Sequence, residues 1–66
     1  MITNPDPVLI REARSGLGLT QKEAAGFIGF SCSAWQKYEL GYRKMHPSLW
    51  ELFLLKTQNY TLHNIK

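Results

Sequence analysis

Hydrophobic residues recur at helical spacing in segments that glycine and proline separate. In the first segment Asp6 precedes Pro7, which is a helix-start signal: aspartate caps the free amides and proline tolerates the first helical position. One helical face then collects the apolar residues of this segment, Leu9, Ile10, Ala13 and Leu17. We therefore predict a first helix over about 7–15.

Two short helices joined by a tight turn are predicted next. Thr20 and Glu23 have the T-x-x-E spacing of a capping box, which starts a helix. Gly29 allows the left-handed backbone with which many helices end, and Ser31 is a good N-cap for the helix that follows. These two helices are predicted to span about 20–28 and 32–40.

A fourth helix, over about 48–57, is predicted from a second capping box formed by Ser48 and Glu51. One stripe along it comprises Leu49, Leu52 and Phe53. A second stripe contains Trp50 and Leu54, and so small a domain has little left to cover it. We expect Trp50 and Leu54 to form a homodimer interface, with a folded-back C-terminal tail as the alternative cover.

The last nine residues, 58–66, show only weak alternation of polar and apolar positions. They are expected to form a tail that is disordered, loosely docked, or paired as a strand across a dimer. The predicted fold class is all-α: a small four-helix domain over residues 1–57, followed by this short C-terminal tail.

Composition limits the number of domains and the kinds of partner that the protein can have. A chain of 66 residues has room for one domain, and its 8 Lys and Arg against 5 Asp and Glu give a net charge of +3. That balance favours a polyanionic partner, although a ribosomal or membrane-surface protein could share it. No membrane span and no signal peptide are expected, so we expect a cytoplasmic protein with no membrane partner.

Catalytic and metal-binding patterns are scarce. One cysteine excludes an intramolecular disulfide, and with two distant histidines it has no metal-ligand spacing. Cys32 is the best candidate nucleophile, but no base accompanies it in sequence. We expect no enzyme activity, no cofactor, no metal and no small-molecule ligand. A redox-sensing thiol at Cys32 stays open, because a helix N-terminus makes thiols more reactive.

The segment 20–41 resembles the helix-turn-helix of the lambda/434 repressor and Cro (XRE-type) family, which is a standard DNA-binding motif. The matching positions are Gln21, Ala25, Gly29, Trp35 and the Tyr-Glu-Leu-Gly ending at 38–41. The resemblance extends over about 8–57 and implies the four-helix fold of that family. Cys32 stands where the family commonly has a polar base reader.

The resemblance implies a recognition helix that enters the major groove. Predicted base contacts are Cys32, Ser33, Gln36 and Lys37. Predicted phosphate contacts are Thr20, Gln21, Lys22, Ser31, Tyr42, Arg43 and Lys44. It also implies a structural ion pair between Arg14 and Glu39. Arg11 is expected to be a solvated charge. The alternatives are a solvated role for Gln36 and an ordinary charged loop at 42–44.

The implied function is that of a transcriptional repressor which binds double-stranded DNA as a homodimer on an inverted-repeat operator, in an autoregulatory circuit. Short members of this kind are similar to regulators carried by phages and mobile elements, including anti-CRISPR-associated autorepressors. The rival interpretation is a protein-interaction module, an antitoxin or adaptor, that uses the same fold and binds its partner through the fourth helix.

Overall fold

The computed structural model describes the backbone of residues 4–64 and the side chains of residues 4–58. Within this range the chain forms helices α1 Pro7–Gly16, α2 Gln21–Phe27, α3 Cys32–Leu40 and α4 Pro47–Asn64. None of the described residues lies in a strand. The predicted all-α class and small four-helix domain are confirmed.

Local side-chain chemistry starts the first two helices. The Asp6 carboxylate accepts the Val8 N–H at 2.9 Å, with Pro7 in the first turn of α1. At α2 the Thr20 hydroxyl accepts the Glu23 N–H at 3.1 Å, while the Glu23 carboxylate accepts the Thr20 N–H at 2.9 Å. Each cap satisfies amides that the helix itself leaves unpaired.

A short turn joins α2 to α3. Gly29 has a φ of +73°, and beyond it the Phe30 N–H donates to the Ala25 carbonyl at 3.0 Å. The Ser31 hydroxyl then accepts the Ala34 N–H at 3.2 Å and caps α3. Because the turn is closed by hydrogen bonds on both sides, it holds α3 in a defined position relative to α2.

Helix α4 begins differently from the prediction. It starts at Pro47, and the imidazole of His46 caps it: Nδ1 accepts the Ser48 N–H at 3.0 Å. The His46 carbonyl also accepts the Leu49 N–H at 3.0 Å. Ser48 therefore lies inside the helix, and the capping box expected from Ser48 and Glu51 is replaced by a histidine cap. The earlier start follows from Pro47, which suits the first helical position.

Helix α4 also ends later than predicted. It continues to Asn64, so residues 58–64 extend the helix in place of a separate disordered or strand-like tail. The physical reason is that this stretch contains neither glycine nor proline to stop the helix. Residues 65 and 66 of the predicted tail lie outside the described residues, and a role of the tail in dimer association stays a prediction.

The hydrophobic core is centred on Phe53 of α4. The ring of Trp35 lies 5.0 Å from it between centroids, Trp50 stacks on it at 5.9 Å, and Phe27 meets it edge-on at 6.2 Å. The buried apolar residues are Ile10, Leu19, Ala24, Ala25, Ile28, Trp35, Tyr38, Met45, Trp50 and Phe53. Aromatic rings that pack together in this way supply the core with both apolar burial and specific ring contacts.

The prediction that Trp50 forms a dimer interface is wrong. Trp50 is 8% exposed and belongs to the core, because it stacks on Phe53 three positions further along α4. Leu52 is 37% exposed, although it lies on the predicted stripe that contains the buried Phe53. Leu54 is 41% exposed, so its expected interface role stays a prediction.

Candidate nucleic-acid interface

Helix α3 presents a polar row to solvent. Ser33, Gln36 and Lys37 are exposed, while Trp35 and Tyr38 on the opposite side are buried. This division places three of the four predicted base-contacting residues on one accessible face. The row is short and polar, which suits insertion into a groove lined with hydrogen-bonding groups.

The fourth predicted base contact, Cys32, lies at the first position of α3. It is half-buried and carries a free thiol. Gln36, one turn later, donates from its amide nitrogen to the Cys32 sulfur at 3.8 Å. The two side chains thus lie side by side at the exposed N-terminal part of α3.

Behind this face, the carboxylate of Glu39 gathers donors from three helices. Arg14 donates from Nε at 2.5 Å and from Nη2 at 3.2 Å, which forms the ion pair predicted from the family resemblance. Gln21 donates from Nε2 at 3.0 Å, and Trp35 donates from its indole nitrogen at 2.5 Å. We call these four side chains the Glu39 cluster. Through it α3 is tied to α1 and to the start of α2.

Burial acts against the charge on Glu39, but the cluster outweighs it. Desolvation on its own would raise the pKa of Glu39. The hydrogen bonds from Arg14, Trp35 and Gln21, together with the positive charge of Arg14, lower the pKa of Glu39 below its ordinary value. The carboxylate is therefore ionised at neutral pH, and every donor in the cluster has a charged acceptor.

Arg14 has a further contact outside the cluster. Its Nη1 donates to the Leu19 carbonyl at 2.9 Å, just before α2 begins. The guanidinium therefore spans from the end of α1 to the α1–α2 connection while it holds Glu39 of α3. A planar group with several fixed donors is well suited to this bridging.

Two members of the Glu39 cluster have contacts that the sequence did not predict. Gln21 was predicted to contact phosphate through its side chain or the amides at the start of α2; its side-chain amide instead donates to Glu39, and a contact through the backbone amides stays a prediction. Trp35, one of the positions that match the family pattern, also donates to Glu39. The spacing of four residues between Trp35 and Glu39 on one helix is the sequence signal for this contact.

Thr20 and Ser31, both predicted phosphate contacts, serve as the caps described above. Each hydroxyl oxygen accepts a backbone N–H, and each residue is exposed. A hydroxyl group that accepts one hydrogen bond keeps its own hydrogen for donation. Both residues therefore retain a donor on the surface beside α2 and α3. Lys22, also predicted, is exposed in the first turn of α2.

The loop after α3 carries the remaining predicted phosphate contacts. Gly41 turns the chain with a φ of +81°, and the Tyr42 N–H donates to the Lys37 carbonyl at 3.0 Å. The guanidinium carbon of Arg43 lies 5.8 Å from the centre of the Tyr38 ring, a cation–π contact. Tyr42, Arg43 and Lys44 are all exposed.

Asn4 contacts the chain beyond this loop. Its side-chain amide donates to the Met45 carbonyl at 2.7 Å. A cleft lined by Asn4, Pro5, Arg43 and Lys44 results. The contact spans 41 residues of chain, so no local pattern could have predicted it.

Arg11 lines a groove between α1 and α3 together with Gln36 and Leu40. Arg14, Gln21 and Glu39 of the Glu39 cluster line the same groove. The exposure of Arg11 agrees with the solvated charge expected from the sequence. Arg11 is exposed and adds a cation at the edge of the polar row.

Among the described residues, no three His, Cys, Asp or Glu side chains are grouped closely enough to hold a metal ion. None of the helices in that part of the chain is both long and apolar enough to cross a membrane.

No family model matches the chain. A type II methyltransferase, M.MspI from Moraxella sp., is 36% identical to it over 53 residues. That stretch covers 80% of this chain but only 13% of the methyltransferase. The similarity thus concerns one segment, about the size of the helical domain described above, within a much longer protein.

Proposed function

We propose that the chain is a sequence-specific, double-stranded DNA-binding transcriptional repressor of the helix-turn-helix kind. The observation that carries this proposal is the exposed polar row of Ser33, Gln36 and Lys37 on a helix that the Glu39 cluster ties to α1 and α2. Reading of base edges needs such preorganised side chains, because a loose helix would lose entropy on binding.

Each residue of the row suits base edges in the major groove. Gln36 would pair in two-point fashion with adenine, and Lys37 would reach the acceptors of guanine. Ser33 would donate or accept, depending on the base. Cys32, at the start of α3, would contact a thymine methyl group or serve as a weak donor.

Positive and hydroxyl groups around the row suit the phosphate backbone. The proposed phosphate contacts are Thr20, Lys22, Ser31, Tyr42, Arg43 and Lys44, with Arg11 added from the groove. The lysines and arginines would release counterions and make binding sensitive to salt. Gln21 is assigned a positioning role, since its amide holds Glu39.

The proposed repressor acts as a homodimer in the cytoplasm. One short recognition helix reads too few base pairs for a useful specificity ratio. A two-fold dimer would bind an inverted repeat with half-sites about one helical turn apart. The dimer would repress transcription by occupying the operator. We place that operator upstream of the protein's own gene, as in the phage and mobile-element regulators that the chain resembles.

We assign no methyltransferase activity to this chain, because it matches only 13% of that enzyme. Our proposal is a binding protein without enzyme activity, cofactor or small-molecule ligand. The second candidate function is a protein-interaction module. The exposed leucines of α4, among them Leu54 and Leu55, favour it.

Fluorescence anisotropy with DNA from upstream of the gene, beside a scrambled duplex, tests the proposal. Gln36→Ala is expected to reduce the preference for the specific duplex by roughly 10- to 100-fold, as one two-point base contact is lost. Gln58→Ala is the matched control, because Gln58 is exposed on α4, outside the polar row. Equal binding of both duplexes by the wild type would overturn the repressor and favour the interaction module.

Arg43→Ala tests the backbone contacts separately. It is expected to weaken binding to both duplexes by a similar factor and to reduce the salt slope by about one charge. An unchanged salt slope would remove Arg43 from the proposed phosphate contacts. The comparison separates positioning by the backbone from base reading, since only the Gln36 substitution should change sequence preference.

A further inference from the structure

Helix α4 leaves its outer face uncovered. Leu52 is 37% exposed and Leu55 is 56% exposed, whereas Trp50 and Phe53 on the inner face are buried. The inner face supplies the core of this domain. Apolar side chains on the opposite face gain nothing from that core and mark a surface for another molecule.

The spacing on the outer face is that of a coiled coil. By helical register, positions 52, 55, 59 and 62 fall on one stripe with alternating steps of three and four, and α4 extends through all of them. The sequence there is Leu52, Leu55, Asn59 and Leu62. Leu52 and Leu55 occupy the two apolar positions of a heptad, which in a coiled coil pack against the same positions of a second helix.

The charges beside the stripe select the direction of pairing. Glu51 and Lys56 are exposed on opposite flanks of Leu52 and Leu55. In a parallel pair a two-fold axis runs along the helices, so Glu51 of each copy faces Lys56 of the other. In an antiparallel pair the axis crosses the helices, and each flank meets its own like charge. A parallel dimer therefore forms two Glu51–Lys56 ion pairs, one on each side of the stripe.

We propose that the outer face of α4 binds the same face of a second copy as a short parallel coiled coil. Leu52 would pack on Leu52, Leu55 on Leu55, and Glu51 would pair with Lys56. This inference rests on the proposed function, whose homodimer it supplies with an interface in place of Trp50. The 18 residues of α4 are about 27 Å long, so the contact is short and is reinforced when both copies bind one operator.

Disulfide trapping tests the contact and its direction. In a Cys32→Ser background, Leu52→Cys is expected to form a disulfide-linked dimer under mild oxidation, since parallel packing brings the two copies of residue 52 together. Glu12→Cys, exposed on α1, is the control and should stay monomeric. An antiparallel pair would instead link Leu52→Cys to Leu55→Cys in a mixture, and that product would overturn the parallel arrangement.

Charge exchange gives a second, reversible measurement. By sedimentation equilibrium, Glu51→Lys and Lys56→Glu are each expected to weaken dimerisation roughly tenfold, because attractive pairs become repulsive. The double variant is expected to restore wild-type association. A double variant as weak as the single ones would overturn the pairing. Circular dichroism would show that each variant keeps its helices.

The two proposals fail in different ways. If the Leu52→Cys variant forms the disulfide-linked dimer but the wild type binds both duplexes equally, the α4 interface is supported and the repressor proposal is overturned. The opposite result is a wild type that selects its operator but sediments as a monomer at tens of micromolar, with no cross-link in Leu52→Cys. That result would overturn the α4 interface and leave the proposal of DNA recognition intact.

Discussion

The guanidinium of Arg14 and the carboxylate of Glu39 form a two-point ion pair that joins α1 to α3 across 25 residues of chain. The Glu39 side chain is 5% exposed and that of Arg14 is 18% exposed. Gln21 and Trp35 complete the donor set around the carboxylate. The position of the polar row on α3 therefore depends on the buried carboxylate of Glu39, which accepts hydrogen bonds from Arg14, Gln21 and Trp35.

Removal of Arg14 should be costly. Arg14→Met keeps the aliphatic stem but leaves Glu39 as a buried charge without its ionic partner, and we expect the free energy of unfolding to fall by about 3 kcal/mol. Urea denaturation monitored by circular dichroism measures this change in the free energy of unfolding. Arg11→Met, one helical turn earlier and exposed, is the control and should change stability by less than about 0.5 kcal/mol. Equal losses for both variants would contradict a special role for the pair.

Stability should depend on pH through Glu39. Its pKa is lower in the folded chain than in the unfolded chain, where glutamate titrates near about 4.3. The gain from ionised Glu39 is therefore fully present above that pH, and it is lost as the pH falls through the lowered pKa. The difference in unfolding free energy between wild type and Glu39→Gln should stay constant from neutral pH down to about 4.3 and shrink below that pH.

The measurement is a set of urea unfolding curves for both proteins from neutral to acid pH. The Gln variant serves as its own control, because it keeps the other carboxylates and lacks only this titration. A difference that stayed constant across the series would show that Glu39 has the same pKa folded and unfolded.

Two glycines provide opposite predictions for one substitution. Gly41 has a φ of +81°, a backbone conformation that strains a residue with a Cβ, so Gly41→Ala should destabilise by about 1 kcal/mol even though the Cβ would make only an ordinary contact with the Pro7 ring at 3.6 Å. Gly26 is inside α2, and a Cβ there meets nothing within 4 Å. Gly26→Ala should stabilise by up to about 1 kcal/mol. Melting temperatures that moved in the same direction would contradict the backbone argument.

Trp50 should behave as a core residue. Trp50→Ala removes an indole stacked on Phe53 and should cost about 3–5 kcal/mol. Leu55→Ala, on the exposed face of the same helix, should change the stability of the monomer by less than about 1 kcal/mol. Thermal unfolding at low protein concentration, where dimerisation contributes little, separates the two. A small effect of Trp50→Ala would mean that Trp50 is not part of the core.

Helix starts were predictable where the cap is a near neighbour. Asp6, Thr20 and Ser31 cap their helices as expected, since a short oxygen-bearing side chain reaches amides two or three residues away. At α4 the same reasoning predicted Ser48 as the N-cap, but the ring nitrogen of His46 accepts the Ser48 N–H and caps the helix instead. A ring nitrogen as a cap has no distinctive sequence signature.

The sequence by itself determined the four helices, the turn between α2 and α3, and the exposed polar row of α3, because these follow from periodicity and local hydrogen bonding. Only the tertiary structure decided which side of α4 is buried. Periodicity sets the angle between Trp50 and Leu52 but not the direction of the core. The tertiary structure also decided that Arg14, Gln21 and Trp35 all donate to the carboxylate of Glu39. Long-range packing sets the distances between side chains that are far apart in the chain, so local sequence patterns do not predict them.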